Sequence, residues 1–286
     1  KIKMIHHASI AEHIFPWQKE LSTEIELHPF ALSFLLQPLF YLRIRPGREN
    51  KVEKALKQNE IPYERIGEHG IALQNSVRAD AVLTIDEDAI VQDINSQKVL
   101  QPLINEVPLT ISIKVWDCCA ASGGKSILAV DTFKNVNLTV SDVRKSILQN
   151  LKNRFSRAGL HHYHSFIADA ATIKLTRGTI FDVIICDAPC SGSGTWSRTP
   201  EQLYYFEENK IEYYSTLQKS IVKNVSRYLT KNGFFVYITC SVFKKENEEV
   251  VSFIEKETNL KTMSTTYLKG YTSKADTLFV ALFSNL

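Results

Sequence analysis

The stretch VWDCCAASGGKS, positions 115–126, decides the fold class. An apolar run ends at Asp117, a loop of small residues follows, and a helix is expected to begin near Lys125. Small residues let the backbone approach a ligand closely, and the free N–H groups at a helix start favour an anion or a carboxylate. A strand, a ligand-binding loop and a helix in this order predict an α/β domain.

The chain from position 93 onward alternates apolar strands with amphipathic helices and closes with the strands KTMSTTYL and DTLFVALF. This alternation predicts a doubly wound, seven-stranded and mostly parallel sheet, so we expect a Rossmann-like domain over 93–286. Residues 38–92 predict a small mixed α/β unit. Residues 1–37 predict a short helical segment interrupted by Pro16 and Pro29.

The composition excludes several classes of protein. Of the 286 residues, 44% are hydrophobic and 23% are charged, which is ordinary for a globular chain. No apolar stretch approaches the roughly 18 residues of a membrane span, and the N-terminus lacks the apolar core of a signal peptide. We therefore expect a cytoplasmic protein that binds no membrane. We also expect a monomer. The five cysteines form no C-x-x-C pair, which argues against disulfides and against a metal site.

Basic residues cluster in two places, although the formal net charge is only +3. Residues 38–66 contain seven basic side chains, and residues 143–157 contain five with no acidic residue. Each run alone is typical of a solvated helix face, whereas both together would form a track for phosphates. Both interpretations remain open.

Polar or reactive side chains stand at or just past the ends of five predicted strands: Asp117, Asp142, Asp169, Asp187 and Cys240. The carboxyl ends of parallel strands meet at one edge of the sheet, where ligands bind. A lone Asp after a strand is more often a helix cap or a turn former. Five such residues at one edge indicate a ligand site.

The loop after Asp117 departs from two phosphate-binding motifs. A Walker A motif would need Gly at position 119, which is Cys, and the dinucleotide motif G-x-G-x-x-G is absent. The remaining candidate ligand for this loop is a nucleoside cofactor without a pyrophosphate. Asp142 is placed to bond its ribose hydroxyls, and Asp169 to meet its adenine amino group. These features predict S-adenosylmethionine.

Two apolar runs, FDVIICDAPC and GFFVYITC, end in Cys190 and Cys240. Suppose the reaction is methylation of a pyrimidine at carbon 5. A thiolate that adds to carbon 6 makes carbon 5 electron-rich enough to attack a methyl donor. Asp187 is then the candidate to stabilise the charge that develops on the ring, and a second thiol can help to expel the first.

The three remaining cysteines, Cys118, Cys119 and Cys186, lie in or beside predicted strands. A free cysteine is most often a small buried hydrophobe. We expect that packing role for this group of three.

The stretches DAPCSGSGTWSRTPE (187–201) and YITCSVFKKENEEVV (237–251) resemble the Pro-Cys and Thr-Cys motifs of the RsmB/Sun family of RNA cytosine-5 methyltransferases. VQDINSQ (91–97), DCCAASGGKS (117–126) and DTLFVALF (276–283) are similar to other blocks of that family. The resemblance covers about 38–286. It implies the class I S-adenosylmethionine-dependent methyltransferase fold.

The resemblance also implies roles for individual residues. Cys240 would be the nucleophile, Cys190 would assist product release, Asp187 would touch the target base, and Lys125 would line the active site. The predicted cofactor site comprises Cys119, Ala120, Ala121, Ser122, Gly123, Gly124, Lys125, Asp142, Asp169 and Asp187.

The implied substrate is RNA, and ribosomal RNA is the first candidate. The unit at 38–92 would bind the RNA phosphates without sequence specificity. A transfer RNA methyltransferase and a catalytically silent RNA-binding protein are the alternatives. Stacking hides carbons 5 and 6 in a duplex, so the target must be single-stranded or flipped out. Pro189, Trp196 and Arg198 are predicted to contact the RNA. Trp196 would either stack on a base or pack under its loop.

Three features depart from the family pattern. Ser122 stands where the family usually has Pro, and Arg144 stands where a second acid often follows the ribose-binding one. Longer members have a helical N-terminal domain, and about 37 residues precede the mixed unit in this sequence, so we expect that domain to be shortened. Because Arg144 replaces that second acid, ribose contacts would depend on Asp142 alone.

Overall fold

A computed structural model describes residues 7–104, 106–107, 112–133 and 135–285. Residues 1–6 of the predicted helical segment therefore lie outside the described residues. None of the helices within these ranges combines the length and the apolar character needed to cross a membrane.

The described residues form α-helices and β-strands with the following bounds. The helices are α1 His7–Ile14, α2 Leu27–Ser33, α3 Glu49–Gln58, α4 Gln101–Ile104, α5 Gly124–Thr132, α6 Lys145–Arg157, α7 Gln202–Tyr205, α8 Asn209–Val225 and α9 Glu248–Glu257. The strands are β1 Phe40–Ile44, β2 Glu64–Ile66, β3 Gly70–Leu73, β4 Ala89–Val91, β5 Ile113–Asp117, β6 Val136–Asp142, β7 Tyr163–Ile167, β8 Phe181–Asp187, β9 Leu229–Thr239, β10 Leu260–Leu268 and β11 Leu278–Asn285.

A small four-stranded sheet in the order β2-β3-β1-β4 lies within residues 40–91. All its neighbouring strands are antiparallel. Helix α3 covers one face, because Val52 and Leu56 stand four positions apart and both are fully buried. They join Leu42 and Ile71 of the sheet in one apolar cluster.

The large sheet has seven strands in the order β10-β11-β9-β8-β5-β6-β7, and β11 alone runs antiparallel to its neighbours. This confirms the prediction of a seven-stranded, mostly parallel sheet with a C-terminal hairpin. Apolar clusters cover both faces. Strand β8 reads FDVIICD without polar alternation because both of its faces are buried.

The strand order reverses at β5. From β5 the chain adds β6 and β7 on one side, and it then returns to add β8 and β9 on the other. The loops after β5 and β8 therefore diverge and leave a crevice at their carboxyl ends. Asp117 ends β5 and Asp187 ends β8.

Arginine–aspartate pairs connect the small sheet to the large domain. Arg43 and Arg45 of β1 both bond Asp131 of α5. Arg154 and Arg157 of α6 reach back to the buried Asp86, at 2.7 Å each. Nine of the twelve clustered basic residues form ion pairs within the chain, which weakens the interpretation of these runs as a phosphate track.

The segment between α1 and α2 packs over the loops that follow β8 and β9. Phe15 is fully buried and contacts the rings of Trp196 and Phe243. The backbone N–H of Ser22 donates to the Val242 carbonyl at 2.9 Å. The N-terminal segment therefore supports the two loops that carry Cys190 and Cys240.

Candidate active site

The loop after β5 turns sharply before α5 begins. Gly123 has a φ of +82°, and an added Cβ would clash with Phe155. Asp117 is fully buried and accepts a 2.6 Å hydrogen bond from Ser126. Burial raises the pKa of Asp117 to about 7, because bulk water cannot reach the carboxylate to solvate its charged form.

Asp142 connects the end of β6 to this loop. One carboxylate oxygen accepts the Ala121 N–H at 3.0 Å, and the other accepts the Arg144 N–H at 2.9 Å. The Arg144 side chain bonds both oxygens, at 3.0 and 3.1 Å. Burial opposes ionisation, but the bonds from Arg144 outweigh it and the pKa of Asp142 is lowered. Its carboxylate is held in its charged form at the crevice.

Lys125 and Asp187 form an ion pair across the crevice, with Nζ 2.7 Å from Oδ2. Both side chains are mostly buried, at 15% and 28% exposure. Burial alone would lower the pKa of Lys125, yet the adjacent Asp187 carboxylate raises it above its ordinary value. The ammonium group therefore stays charged beside the two thiols.

Cys190 and Cys240 meet at the carboxyl edge of the sheet, with their sulfur atoms 3.3 Å apart. The pKa of Cys190 is raised well above that of a free thiol, first by its hydrogen bond with Cys240 and then by burial. The raised pKa favours the protonated form of Cys190, whose sulfur lies within hydrogen-bond distance of the Cys240 sulfur.

Glu246 holds the two cysteine loops together. It is fully buried, and its Oε2 accepts the Ser191 N–H at 2.8 Å and the Gln218 amide at 3.1 Å. Its Oε1 accepts the Ser241 hydroxyl at 3.0 Å. Ser191 follows Cys190 and Ser241 follows Cys240, so this one carboxylate sets the positions of both thiols.

A cleft of about 580 Å³ opens beside these groups, which is a suitable volume for a nucleoside-sized ligand. Its lining residues are Cys118, Cys119, Ala121, Asp142, Val143, Arg144, Ala168, Asp169, Ala170, Asp187, Pro189, Cys190, Tyr213, Tyr214, Leu217 and Ile221. A larger cavity of about 740 Å³ between α8 and α9 contains none of the predicted site residues.

The predicted cofactor residues divide into two groups. Five of the ten line the cleft: Cys119, Ala121, Asp142, Asp169 and Asp187. Lys125 is not in the lining but forms an ion pair with Asp187, which is. The other four, Ala120, Ser122, Gly123 and Gly124, are absent from the cleft lining. Ser122 faces away and bonds Arg154 at 3.1 Å. These four shape the turn instead.

Asp169 has a local structural role besides its place in the cleft. It is exposed, and its carboxylate accepts the Ala171 N–H at 2.9 Å and the Thr172 hydroxyl at 3.1 Å. This is the turn-forming arrangement common for Asp after a strand. The two roles are compatible, because each carboxylate oxygen can accept more than one hydrogen bond.

The structure corrects the stacking role expected of Trp196. Its side chain is only 1% exposed, packs on Phe15, Trp17, Phe206 and Phe243, and donates its indole N–H to the Ser191 carbonyl at 3.2 Å. A ring enclosed in this way offers no face to an RNA base. Trp196 therefore anchors its loop.

Arg198 is also held within the chain. Its guanidinium bonds Asp93 at 2.8 Å and Asp276 at 2.7 Å, which joins its loop to two other segments. Because both carboxylates form ion pairs with its guanidinium, Arg198 is poorly placed to bind an RNA phosphate. Of the three predicted RNA contacts, only Pro189 lines the cleft.

Sequence reasoning missed three residues of the site. Tyr213 and Tyr214 of α8 line the cleft, and Glu246 bridges the cysteine loops. Glu246 lies within the quoted Thr-Cys stretch, so the motif could have drawn attention to it. The tyrosines lie in a helix without a distinctive motif, and only the packing of α8 against the sheet brings them to the cleft.

Comparisons with known proteins identify related sequences and folds. Residues 103–281 match the sequence model of the family described as 16S rRNA methyltransferase RsmB/F. The probable ribosomal RNA small subunit methyltransferase B of Bacillus subtilis (strain 168) is 29% identical over 229 residues, covering 78% of this chain and 50% of that protein. The chain thus spans about half the length of the curated relatives it matches.

Two solved structures from Pyrococcus horikoshii share the fold. A methyltransferase homolog protein has a TM-score of 0.76 at 19% identity, with 93% of this chain and 92% of that chain covered. The protein NSun6, solved with SFG, has a TM-score of 0.76 at 13% identity, with 96% of both chains covered. At these identities the likeness shows the fold alone.

Proposed function

Because the chain belongs to the 16S rRNA methyltransferase RsmB/F family, as its motifs predicted, we propose that it methylates carbon 5 of a cytosine in ribosomal RNA. S-adenosylmethionine, the cofactor predicted from the sequence, is the methyl donor of this family. The observation that carries the proposal is the Cys190–Cys240 pair, 3.3 Å apart, beside the Lys125–Asp187 ion pair. Cytosine-5 chemistry needs a nucleophilic thiol, and here a second thiol stands next to it.

Cys240 acts as the nucleophile. Its thiolate adds to carbon 6 of the cytosine, which breaks the ring's delocalisation and makes carbon 5 nucleophilic. Cys190 keeps its own proton and donates a hydrogen bond to the Cys240 sulfur. Lys125 places a positive charge where negative charge develops on the ring, and Asp187 accepts a hydrogen bond from the exocyclic amine.

Product release is an elimination. The carbon 5 proton passes to solvent water, its electron pair re-forms the double bond between carbons 5 and 6, and the bond between the Cys240 sulfur and carbon 6 breaks. The Cys190 thiol, 3.3 Å from Cys240, donates its proton to the departing sulfur. Glu246 fixes the loops on which both sulfurs stand, so the proton travels a short and constant distance.

The cleft fits the cofactor in volume and in chemistry. Bound there, S-adenosylmethionine supplies an electrophilic methyl group. Asp142 would receive the ribose hydroxyls, but all its bonding positions are filled, two of them by the Arg144 side chain. That side chain is 57% exposed, and exposed ion pairs are weak, so Arg144 would give way to the ribose. Tyr213 and Tyr214 would flank the ligand from α8.

Single cysteine variants test the covalent step. Cys240→Ala is expected to abolish transfer of a labelled methyl group to ribosomal RNA while cofactor affinity stays nearly unchanged. Cys190→Ala is expected to remain bound to its RNA as an adduct that survives denaturing electrophoresis. The matched control is the double variant Cys190→Ala/Cys240→Ala, which should form no adduct because it lacks the attacking sulfur.

Three outcomes would count against parts of this proposal. Full activity of Cys240→Ala would remove Cys240 from the mechanism, and absence of an adduct with Cys190→Ala would assign release to another group. Methylation of transfer RNA alone would keep the chemistry but change the substrate. The assay therefore includes both RNA pools, and the methylated base is identified by nucleoside analysis.

A further inference from the structure

Three cysteines outside the proposed mechanism converge below the cleft. Cys118 follows β5, and Cys186 lies in β8, which is the neighbouring parallel strand. The pairing of Asp117 with Ile185 makes Cys118 and Cys186 neighbours across the two strands. Cys119 turns toward them from the start of the loop. Their three sulfur atoms all lie within 4.8 Å of one another.

This spacing is close to what a thiolate-bound metal ion requires. A zinc–sulfur bond of about 2.3 Å places the sulfurs of a tetrahedral or trigonal site about 3.8–4.0 Å apart. The three sulfurs would need to approach one another by at most about 1 Å. Side-chain rotation at Cys119, which is only half-buried, can supply much of that movement.

The surroundings also suit a soft cation. Cys118 and Cys186 are almost fully buried, at 1% and 0% exposure, so their sulfurs are shielded from bulk water. Cys118 and Cys119 also line the 580 Å³ cleft, which leaves an entry path and room for a water molecule as a fourth ligand. Thiolate sulfur selects soft or borderline ions such as zinc over magnesium or calcium.

We infer that Cys118, Cys119 and Cys186 form a binding site for one thiophilic metal ion of the zinc type, and that this ion competes with the cofactor for the cleft. Binding forms three metal–sulfur bonds, and each of the three ligands that still carries a thiol proton releases it to solvent. The ion would occupy the end of the cleft formed by Cys118 and Cys119. Because metal binding is read out directly, this inference can fail while the proposed methyl transfer stands.

Cadmium is the probe, since sulfur-to-cadmium charge transfer absorbs in the ultraviolet. The background is the double variant Cys190→Ala/Cys240→Ala, which removes the other close thiol pair. We expect this protein, kept reduced by a phosphine, to bind one Cd²⁺ per chain with the absorbance of three thiolates. Zn²⁺ should displace the cadmium and abolish the absorbance.

Two further variants in that background locate the ligands. Cys119→Ser, at the half-buried position, and Cys186→Ala should each lose about one third of the absorbance. Each should weaken binding by more than about 100-fold, since losing an outer-shell partner alone costs 10- to 100-fold. Thermal unfolding checks that each variant is folded. If Cys186→Ala is not folded, the cadmium absorbance of Cys119→Ser alone tests the proposed ligands.

Two results would overturn the inference. No charge-transfer band in the background variant would show that the three thiols only pack together, and an unchanged band in Cys119→Ser would place the ion elsewhere. Calorimetry with S-adenosylmethionine tests the competition: saturating Cd²⁺ should weaken cofactor binding at least tenfold. Equal affinity with and without Cd²⁺ would refute that part.

Discussion

Glu246 is the residue whose removal tests the architecture of the site most directly. Its carboxylate accepts three hydrogen bonds, from Ser191, Gln218 and Ser241, and it has no exposure to solvent. Each bond to a charged acceptor contributes about 1.5–3 kcal/mol, but burial of the charge offsets part of the sum. Burial indeed raises the pKa of Glu246 despite these bonds.

Glu246→Ala should therefore lower the free energy of unfolding by about 3–5 kcal/mol, the usual cost of breaking a buried charged network. For a chain of this size that corresponds to a fall in Tm of roughly 10 °C. Glu246→Gln keeps the shape and two of the accepted bonds, so its cost should be about 1–2 kcal/mol. Loss of the fixed spacing between the thiols should slow methyl transfer on the order of 100-fold in Glu246→Ala.

Urea unfolding and single-turnover methyl transfer measure the two effects separately. The matched control is Glu249→Ala, an exposed acid of the same segment, which should change the unfolding free energy by less than about 1 kcal/mol. If Glu246→Ala were as stable and as active as Glu249→Ala, the assignment of Glu246 as the link between the two cysteine loops would be wrong.

Two more predictions concern Trp196, in the loop that carries Cys190, and Asp276, which lies before β11 and binds Arg198 of that loop. Trp196→Ala should cost about 3–5 kcal/mol in urea unfolding, because it empties a buried aromatic site; a stable variant with weaker RNA binding would instead restore the stacking role. Burial and the nearby Asp93 raise the pKa of Asp276 to about 7, as two carboxylates share the single Arg198 guanidinium. This pKa lies above the unfolded value of about 3.8. Asp276 therefore ionises less readily in the folded chain, and the free energy of unfolding should fall by up to about 4 kcal/mol as the pH rises from about 4 to 7. Thermal melts of Asp276→Asn should show a smaller loss over that interval than the parent chain, and parallel profiles would contradict the reasoning.

Much of the fold could be read from local pattern. Apolar runs such as FDVIICD are too uninterrupted for a sheet with one wet face, so they indicated parallel strands covered on both sides. The mistakes concern side chains whose surroundings come from distant segments. Trp196 looked available for RNA because its partners Phe15 and Phe243 lie far away in the sequence. Arg154 and Arg157 looked free because their partner Asp86 lies in the turn before β4 of the small sheet, far away in the sequence.

The sequence by itself determined that Asp142, Asp187 and Cys240 stand at one edge of the sheet, because parallel strands joined by helical crossovers all end on the same side. The tertiary structure alone decided which of these groups touch. Strand order placed β8 beside β5 and β9, and so brought Cys186 to Cys118 and Cys190 to Cys240. Strand order depends on packing between distant segments, which local periodicity does not encode.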